Sequence, residues 1–125
     1  MKSFGDQVKD WGEKAERATL AVFRDSSQQL ATEANTPRDR GGNMPVDTGF
    51  LRGSMGASLQ GMPAEGTQPP SLVLLQAKLG DSIYMGWTAN YAIYMEHKYG
   101  FARLAEQNWN SIVDKSVAKV KGRIK

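Results

Sequence analysis

The chain has 125 residues, 40% of them apolar and 23% charged, with a net charge of +3 and no cysteine. That is the make-up of one ordinary globular domain, and the missing cysteine excludes disulfides, thiol nucleophiles and thiolate metal sites together. No apolar run reaches the ~20 residues of a membrane-spanning helix, and residues 1–10 lack the apolar core of a secretory signal. The expectation is a single domain over 1–125, suited to a reducing compartment, with no membrane partner.

Residues 1–34 are expected to form one helix. Phe4, Val8, Trp11, Ala15, Ala18 and Val22 recur at a 4-3-4-3-4 spacing, which is a heptad-like apolar seam. Phe23 and Leu30 extend it, and it lapses at Gln29. Lys9, Glu13, Lys14, Glu16 and Arg17 fill the other faces, while Gly5 and Gly12 weaken the first turns. At ~1.5 Å per residue, Phe4 to Ala31 spans about 40 Å. So small a domain cannot easily cover that length, so part of the seam, Trp11 included, is expected to meet another subunit.

Asn35-Thr36-Pro37 ends the helix, because proline disfavours helical geometry in the residue before it. Residues 35–45 read as a flexible polar link. Its Arg38 and Arg40 could grip a phosphate or carboxylate, or simply lie in a solvated loop.

Residues 46–125 read as a small sheet closed by helices. The pivot is Pro45-Val46-Asp47-Thr48-Gly49-Phe50-Leu51-Arg52-Gly53-Ser54. Asp47 and Thr48 can fold side-chain oxygens back onto nearby backbone N–H groups, and Gly49 accepts the sharp turn that follows. Met55, Ala57 and Leu59 then alternate with polar or small residues as a first strand. After the loop 61–70, Val73, Leu75, Ala77 and Leu79 line one side of a second. Gly80-Asp81 suits a two-residue hairpin turn, and Ile83, Met85 and Trp87 alternate in a third. The expected class is α+β: a long N-terminal helix, about three antiparallel strands, a short helix near 90–97 and a long C-terminal helix.

That last helix is expected from Phe101 to about Arg123, with an apolar stripe of Trp109, Val113, Val117, Val120 and Ile124. Lys115, Lys119 and Arg123 make a separate basic stripe at four-residue spacing. From Val113 onward five basic residues face Asp114 alone. Such a segment suits an acidic protein surface or nucleic acid, and a solvated helix face is the plainer alternative.

Catalytic signals are thin. Asp47-Thr48-Gly49 is the triplet of aspartic proteases, in which two such aspartates share one proton and activate water. That family is almost wholly β, however, and prefers Ala or Ser where this chain has Phe50. His97 is the single histidine, too little for a conventional zinc site even with Glu96 beside it. There is no phosphate-cradling glycine loop. Lys98-Tyr99-Gly100-Phe101-Ala102 faintly resembles an RNA-recognition strand but sits between helical patterns. Tyr91, Tyr94, Tyr99 and Phe101 could stack on bases or pack a core. The reading is a non-enzyme without cofactor or metal, with a nucleic-acid-binding basic protein as the alternative and a dimeric protease using Asp47 as a lesser one.

Two runs together resemble a known family. Val46-Asp47-Thr48-Gly49-Phe50-Leu51-Arg52-Gly53-Ser54, followed by Asn90-Tyr91-Ala92-Ile93-Tyr94-Met95-Glu96, is similar to the small neck and tail-component proteins of long-tailed bacteriophages. Those show Val-Asp-Thr-Gly-x-Leu-Arg-x-Ser, then Tyr-Ala-x-x-(aromatic or aliphatic)-Glu near a glycine, after a long N-terminal helix and before a C-terminal one. Here His97-Lys98-Tyr99 intervene before Gly100. The resemblance implies a ring subunit, commonly one of six, at the head–tail junction or the head-proximal end of the tail tube. Such a protein is assembled in the host cytoplasm and resides in the virion. Its partners would be further copies, the head–tail connector, and tail-tube or tail-terminator proteins, with contact to DNA in the lumen. The motif residues are Asp47, Thr48, Gly49, Leu51, Arg52, Tyr91, Ala92, Tyr94 and Glu96. Arg52 and Glu96, one from each run, are expected to pair as opposite charges.

Overall fold

The computed structural model describes residues 3–63 and 68–123. The order is α1 (Phe4–Ala34), a 3₁₀ turn (Arg38–Arg40), α2 (Phe50–Gly53), β1 (Met55–Ser58), α3 (Pro70–Gln76), β2 (Tyr84–Trp87), α4 (Ala92–Tyr99), α5 (Phe101–Gln107) and α6 (Trp109–Arg123). Ile124, Lys125 and the middle of the 61–70 loop lie outside the described residues. The class is mixed, helices with a small antiparallel sheet, as expected. No helix among the described residues is long and apolar enough to cross a membrane.

The first helix runs from Phe4 to Ala34 without a break. Ser3 caps it, its hydroxyl accepting from the Asp6 amide at 3.1 Å, which satisfies one of the orphan N–H groups at a helix start. At the other end the Asn35 amide still bonds the Ala31 carbonyl before Pro37 turns the chain away.

The sheet has two strands, not three. Met55 pairs with Trp87, Gly56 with Gly86, Ala57 with Met85 and Ser58 with Tyr84. The expected middle strand, Ser71–Leu79, is largely the helix α3. Its buried residues are Val73, Leu74 and Ala77, whereas Leu75 is 70% exposed. That is spacing i, i+1, i+4, one stripe of a helix and not one face of a strand. Pro70 stands in the first turn, where its fixed φ and missing N–H favour a helix start. Arg24 of α1 then holds the far end of α3, donating from Nε and Nη2 to the Ala77 carbonyl at 3.1 and 2.7 Å. Gly80-Asp81 turns the chain from α3 into β2 instead of closing a hairpin: the Lys78 amide donates to the Asp81 carboxylate at 2.8 Å.

The expected single C-terminal helix is broken at Asn108 into α5 and α6. The Asn108 amide group donates to the Glu33 carboxylate on α1, so a tertiary bond fixes the break. The buried stripe of α6 is Ile112, Ser116 and Val120, flanked by half-buried Val113 and Val117. Trp109, expected within it, lies outside at 37% exposure.

The main core gathers Met44, Leu51, Ala89 and Phe101, with Trp87, Tyr91, Ala92, Met95 and Ala102 packed around them. Trp87 meets Phe101 edge to face at 4.7 Å between ring centroids, a geometry the ring quadrupoles favour.

Between α1 and α6 lies a polar seam. Asp25 accepts from the Ser116 hydroxyl at 2.6 Å and from Lys119 Nζ at 3.0 Å. The Ser116 bond first, then Lys119 and the more distant Arg123 charge, hold the Asp25 carboxyl below its ordinary range, against the upward push of burial. Lys119 is therefore partnered within the chain and is not the free basic-stripe residue expected. A carboxylate depressed in the folded state stabilises above its unfolded pKa, and the benefit is lost as pH falls through the folded one. Asp25→Ala should therefore cost about 1–3 kcal/mol at neutral pH, leaving the buried Ser116 hydroxyl unpaired. Urea titrations of the two proteins should converge as the pH drops below about 4.

Candidate functional site

The two runs that carry the family resemblance meet at one groove. Its volume is about 640 Å³, and it is lined by the 3₁₀ turn, the 45–52 segment, Tyr91 at the start of α4, and Met95 and Tyr99 on α4. The 45–52 segment takes its shape from its own sequence. The Thr48 hydroxyl accepts from the Phe50 amide at 3.3 Å, and Gly49 adopts φ +87° just ahead of α2, a region where a side chain is strained. Leu51, 4% exposed, pins the single turn of α2 to the core. Phe50 is left at the surface, 62% exposed, its ring 6.2 Å from that of Tyr91.

Two residues lock the runs together. The Ser54 hydroxyl donates to the Leu51 carbonyl at 2.7 Å and accepts from the Ala89 amide at 3.2 Å. It thereby joins the end of the first run to the start of the second. Asn35 does the rest. Its side-chain oxygen accepts from Trp87 Nε1 at 2.9 Å, its amide nitrogen donates to the Arg52 carbonyl at 3.0 Å, and its main-chain oxygen accepts from Arg52 Nε at 2.9 Å.

The expected Arg52–Glu96 pair does not form. Arg52 turns to the Asn35 carbonyl. Glu96 accepts from the Ala102 and Arg103 amides at 2.7 and 3.3 Å. It thus supplies the N-terminal cap that Gly100 has no side chain to give, and its charge suits the positive end of α5. Gly100 itself sits at φ +67°, and a Cβ there would come within 2.8 Å of Arg103. Helices α4 and α5 are therefore joined by one glycine and one carboxylate. Asp47 also departs from expectation: Thr48 makes the turn bond, and Asp47 lines the groove with no hydrogen bond or ion pair among the described residues.

The remaining candidates scatter. Arg38 and Arg40 do line the groove, Arg38 with its guanidinium 4.5 Å from the centre of the Tyr99 ring. Ala92 packs against the core, while Tyr94 points outward at 76% exposure. Lys115 borders the α1–α6 cleft, and Arg123 lies at the exposed end of α6. Trp11 stands on the N-terminal half of α1, 72% exposed, away from the groove. Asn35 and Met44 have no site role in the sequence pattern, and Tyr99 enters it only as an aromatic able to stack on bases or pack a core. The Asn-Thr-Pro helix stop was the one available signal for Asn35, and it marks an end without naming a partner.

The groove thus offers three guanidinium groups (Arg38, Arg40, Arg52) and two carboxylates (Asp39, Asp47) beside Phe50, Tyr91, Met95 and Val46. Such a lining suits an amphipathic protein segment, with apolar walls for contact area and charges at the edge for orientation. Compared with known protein families, curated proteins and solved structures, the chain matches none.

Asn35→Ala should remove two side-chain hydrogen bonds while leaving α1 and the main-chain bond to Arg52 Nε intact. With Trp87 Nε1 and the Arg52 carbonyl unpaired, the expected loss is about 2–4 kcal/mol, read as a lower urea midpoint with an unchanged slope. Glu96→Gln should cost less than Glu96→Ala, because the amide oxygen can still cap α5.

Proposed function

We propose that this chain is a structural protein of the neck of a long-tailed bacteriophage. In this reading it forms a ring, of six copies by family likeness, that completes the head-proximal end of the tail and joins it to the head connector. The observation that carries the reading is the meeting of its two family-like runs. Residues 46–54 and 90–96 are separate in sequence, yet Ser54 bonds Ala89, the residue just ahead of the second run, and both runs wall one groove. A ring subunit also needs apolar surface that a neighbour completes. Phe50 in the groove wall and Ile93 and Tyr94 on the outer side of α4 are 62%, 75% and 76% exposed, which supports the same reading.

Nucleic-acid contact is the second reading. It is favoured by the arginines beside the Phe50 and Tyr91 rings and by the basic residues Lys115, Lys121 and Arg123 on α6. Within the ring it becomes contact with DNA in the lumen. As a free-standing function it would show affinity for DNA falling steeply with salt.

Deleting the gene from the phage that carries it and imaging the particles tests the proposal. The expected products are full heads and detached tails; tubes of uncontrolled length would make the chain a terminator instead, and normal infectious particles would remove the virion reading. Complementation with an Ile93→Lys, Tyr94→Lys protein should fail to restore joined particles. Both positions are solvent-facing, so that protein should keep the parent's melting temperature.

A further inference from the structure

The seam on α1 has two halves with different fates. Helix α6 runs antiparallel to α1: Asn108 meets Glu33, and Ser116 and Lys119 meet Asp25. Continuing that register places Arg123, the last described residue of α6, beside about Ala18. From Ala18 to Thr32 the heptad positions are Ala18, Val22, Asp25, Gln29 and Thr32, and the last three line the cleft against α6. From Phe4 to Ala15 the same face is apolar, yet no helix among the described residues covers it. Phe4, Val8 and Trp11 there are 82%, 50% and 72% exposed.

We propose that this uncovered half pairs with the same segment of a second copy, antiparallel, about a two-fold axis between Val8 and Trp11. A heptad seam selects another helix as its partner, and the order of side-chain sizes selects the direction. Antiparallel, the layers are Phe4 against Ala15 of the other copy and Val8 against its Trp11, each then repeated by symmetry. Every layer sets a large side chain on a smaller one. Parallel pairing would set Trp11 on Trp11 and Ala15 on Ala15, a clash beside a void.

The edges of the seam agree. On one side lie Gly5 and Gly12, the latter with nothing within 4 Å of where a Cβ would stand, so the backbones can approach closely. On the other lie Gln7 and Lys14, which pair across the axis without opposing like charges. Each copy's globular body sits at an opposite end, so the two bodies do not collide, and the segment stops where α6 begins to cover the face. Aromatic side chains contribute about 150–250 Å² each, so the contact removes on the order of 1,000 Å² in total from water. That is the lower margin of a specific interface, so the dimer is a weak, reversible one. The pairing rests on the seam alone and stands whether or not the virion reading does.

Sedimentation velocity of the purified full-length chain over a micromolar concentration series should show a monomer–dimer equilibrium. Trp11→Glu should weaken it at least about thirtyfold, as loss of a central aromatic anchor does, and Phe4→Glu should weaken it too. Neither should lower the helical circular-dichroism signal of the monomer. Spin labels on Lys9→Cys and, separately, Glu16→Cys read the direction, the chain having no other cysteine. Antiparallel pairing offsets the two Glu16 positions by about 20 Å along the axis while the Lys9 positions stay level. A chain that remains monomeric, an oligomer untouched by Trp11→Glu, or equal label separations at the two positions would each overturn the proposal.

Discussion

Asn35 carries the constraint on which the rest of the structure depends. A 31-residue helix ends there against the core, and a helix end buried without partners is costly. The residue answers with every polar group it has. Its amide N–H bonds back to Ala31, its carbonyl takes Arg52 Nε, and its side chain takes Trp87 Nε1 and gives to the Arg52 carbonyl. Two distant stretches of chain, at Arg52 and Trp87, are thereby fixed to the end of α1. Trp87, held by its indole nitrogen, presents its ring to Phe101, which is 2% exposed and starts α5. The node thus ties the Arg52 side of the groove to the end of α1 and to β2.

How much of this the sequence disclosed depends on whether a residue's partner was local. The helix α1 was legible because six apolar residues repeat at heptad spacing and Asn-Thr-Pro stops them. The two strands that exist were legible from alternation. Ser71–Leu79 was not, because Val73, Leu75, Ala77 and Leu79 alternate as well as any strand. The decisive facts were Pro70 at the start and burial of Leu74 in place of Leu75, and the second of these is tertiary. Asn108 was opaque for the same reason: its partner Glu33 is 75 residues away.

The site shows the opposite failure. Arg52 and Glu96 invited pairing across the fold because their charges are opposite and each lies in a family-like run. A partner close in sequence won in one case: Glu96 reaches amides six and seven residues ahead, with little loop entropy to overcome. Arg52 reached Asn35, which is 17 residues back, because the helix end had a carbonyl to satisfy. Charge pairing at an exposed site contributes little, whereas an unmet backbone group near the core costs more. Opposite charges in two motifs are therefore a weak guide to contact.

The arrangement along α1 follows from these same magnitudes. Asp25, Gln29 and Thr32 stand where a heptad would ordinarily place apolar side chains; they line the cleft against α6, and Asp25 bonds Ser116 and Lys119 across it. Polar groups at such positions add little net stability, but they fix which residue lies opposite which. Placed within the chain, where α6 is tethered and its effective concentration is high, they set register and leave affinity to the tether. Placed on Phe4, Val8 and Trp11, apolar surface does the converse work, because an untethered partner must be held by burial alone. The change from apolar to polar heptad positions thus accompanies the passage from the Phe4–Ala15 face that α6 leaves exposed to the Asp25–Thr32 face that it covers.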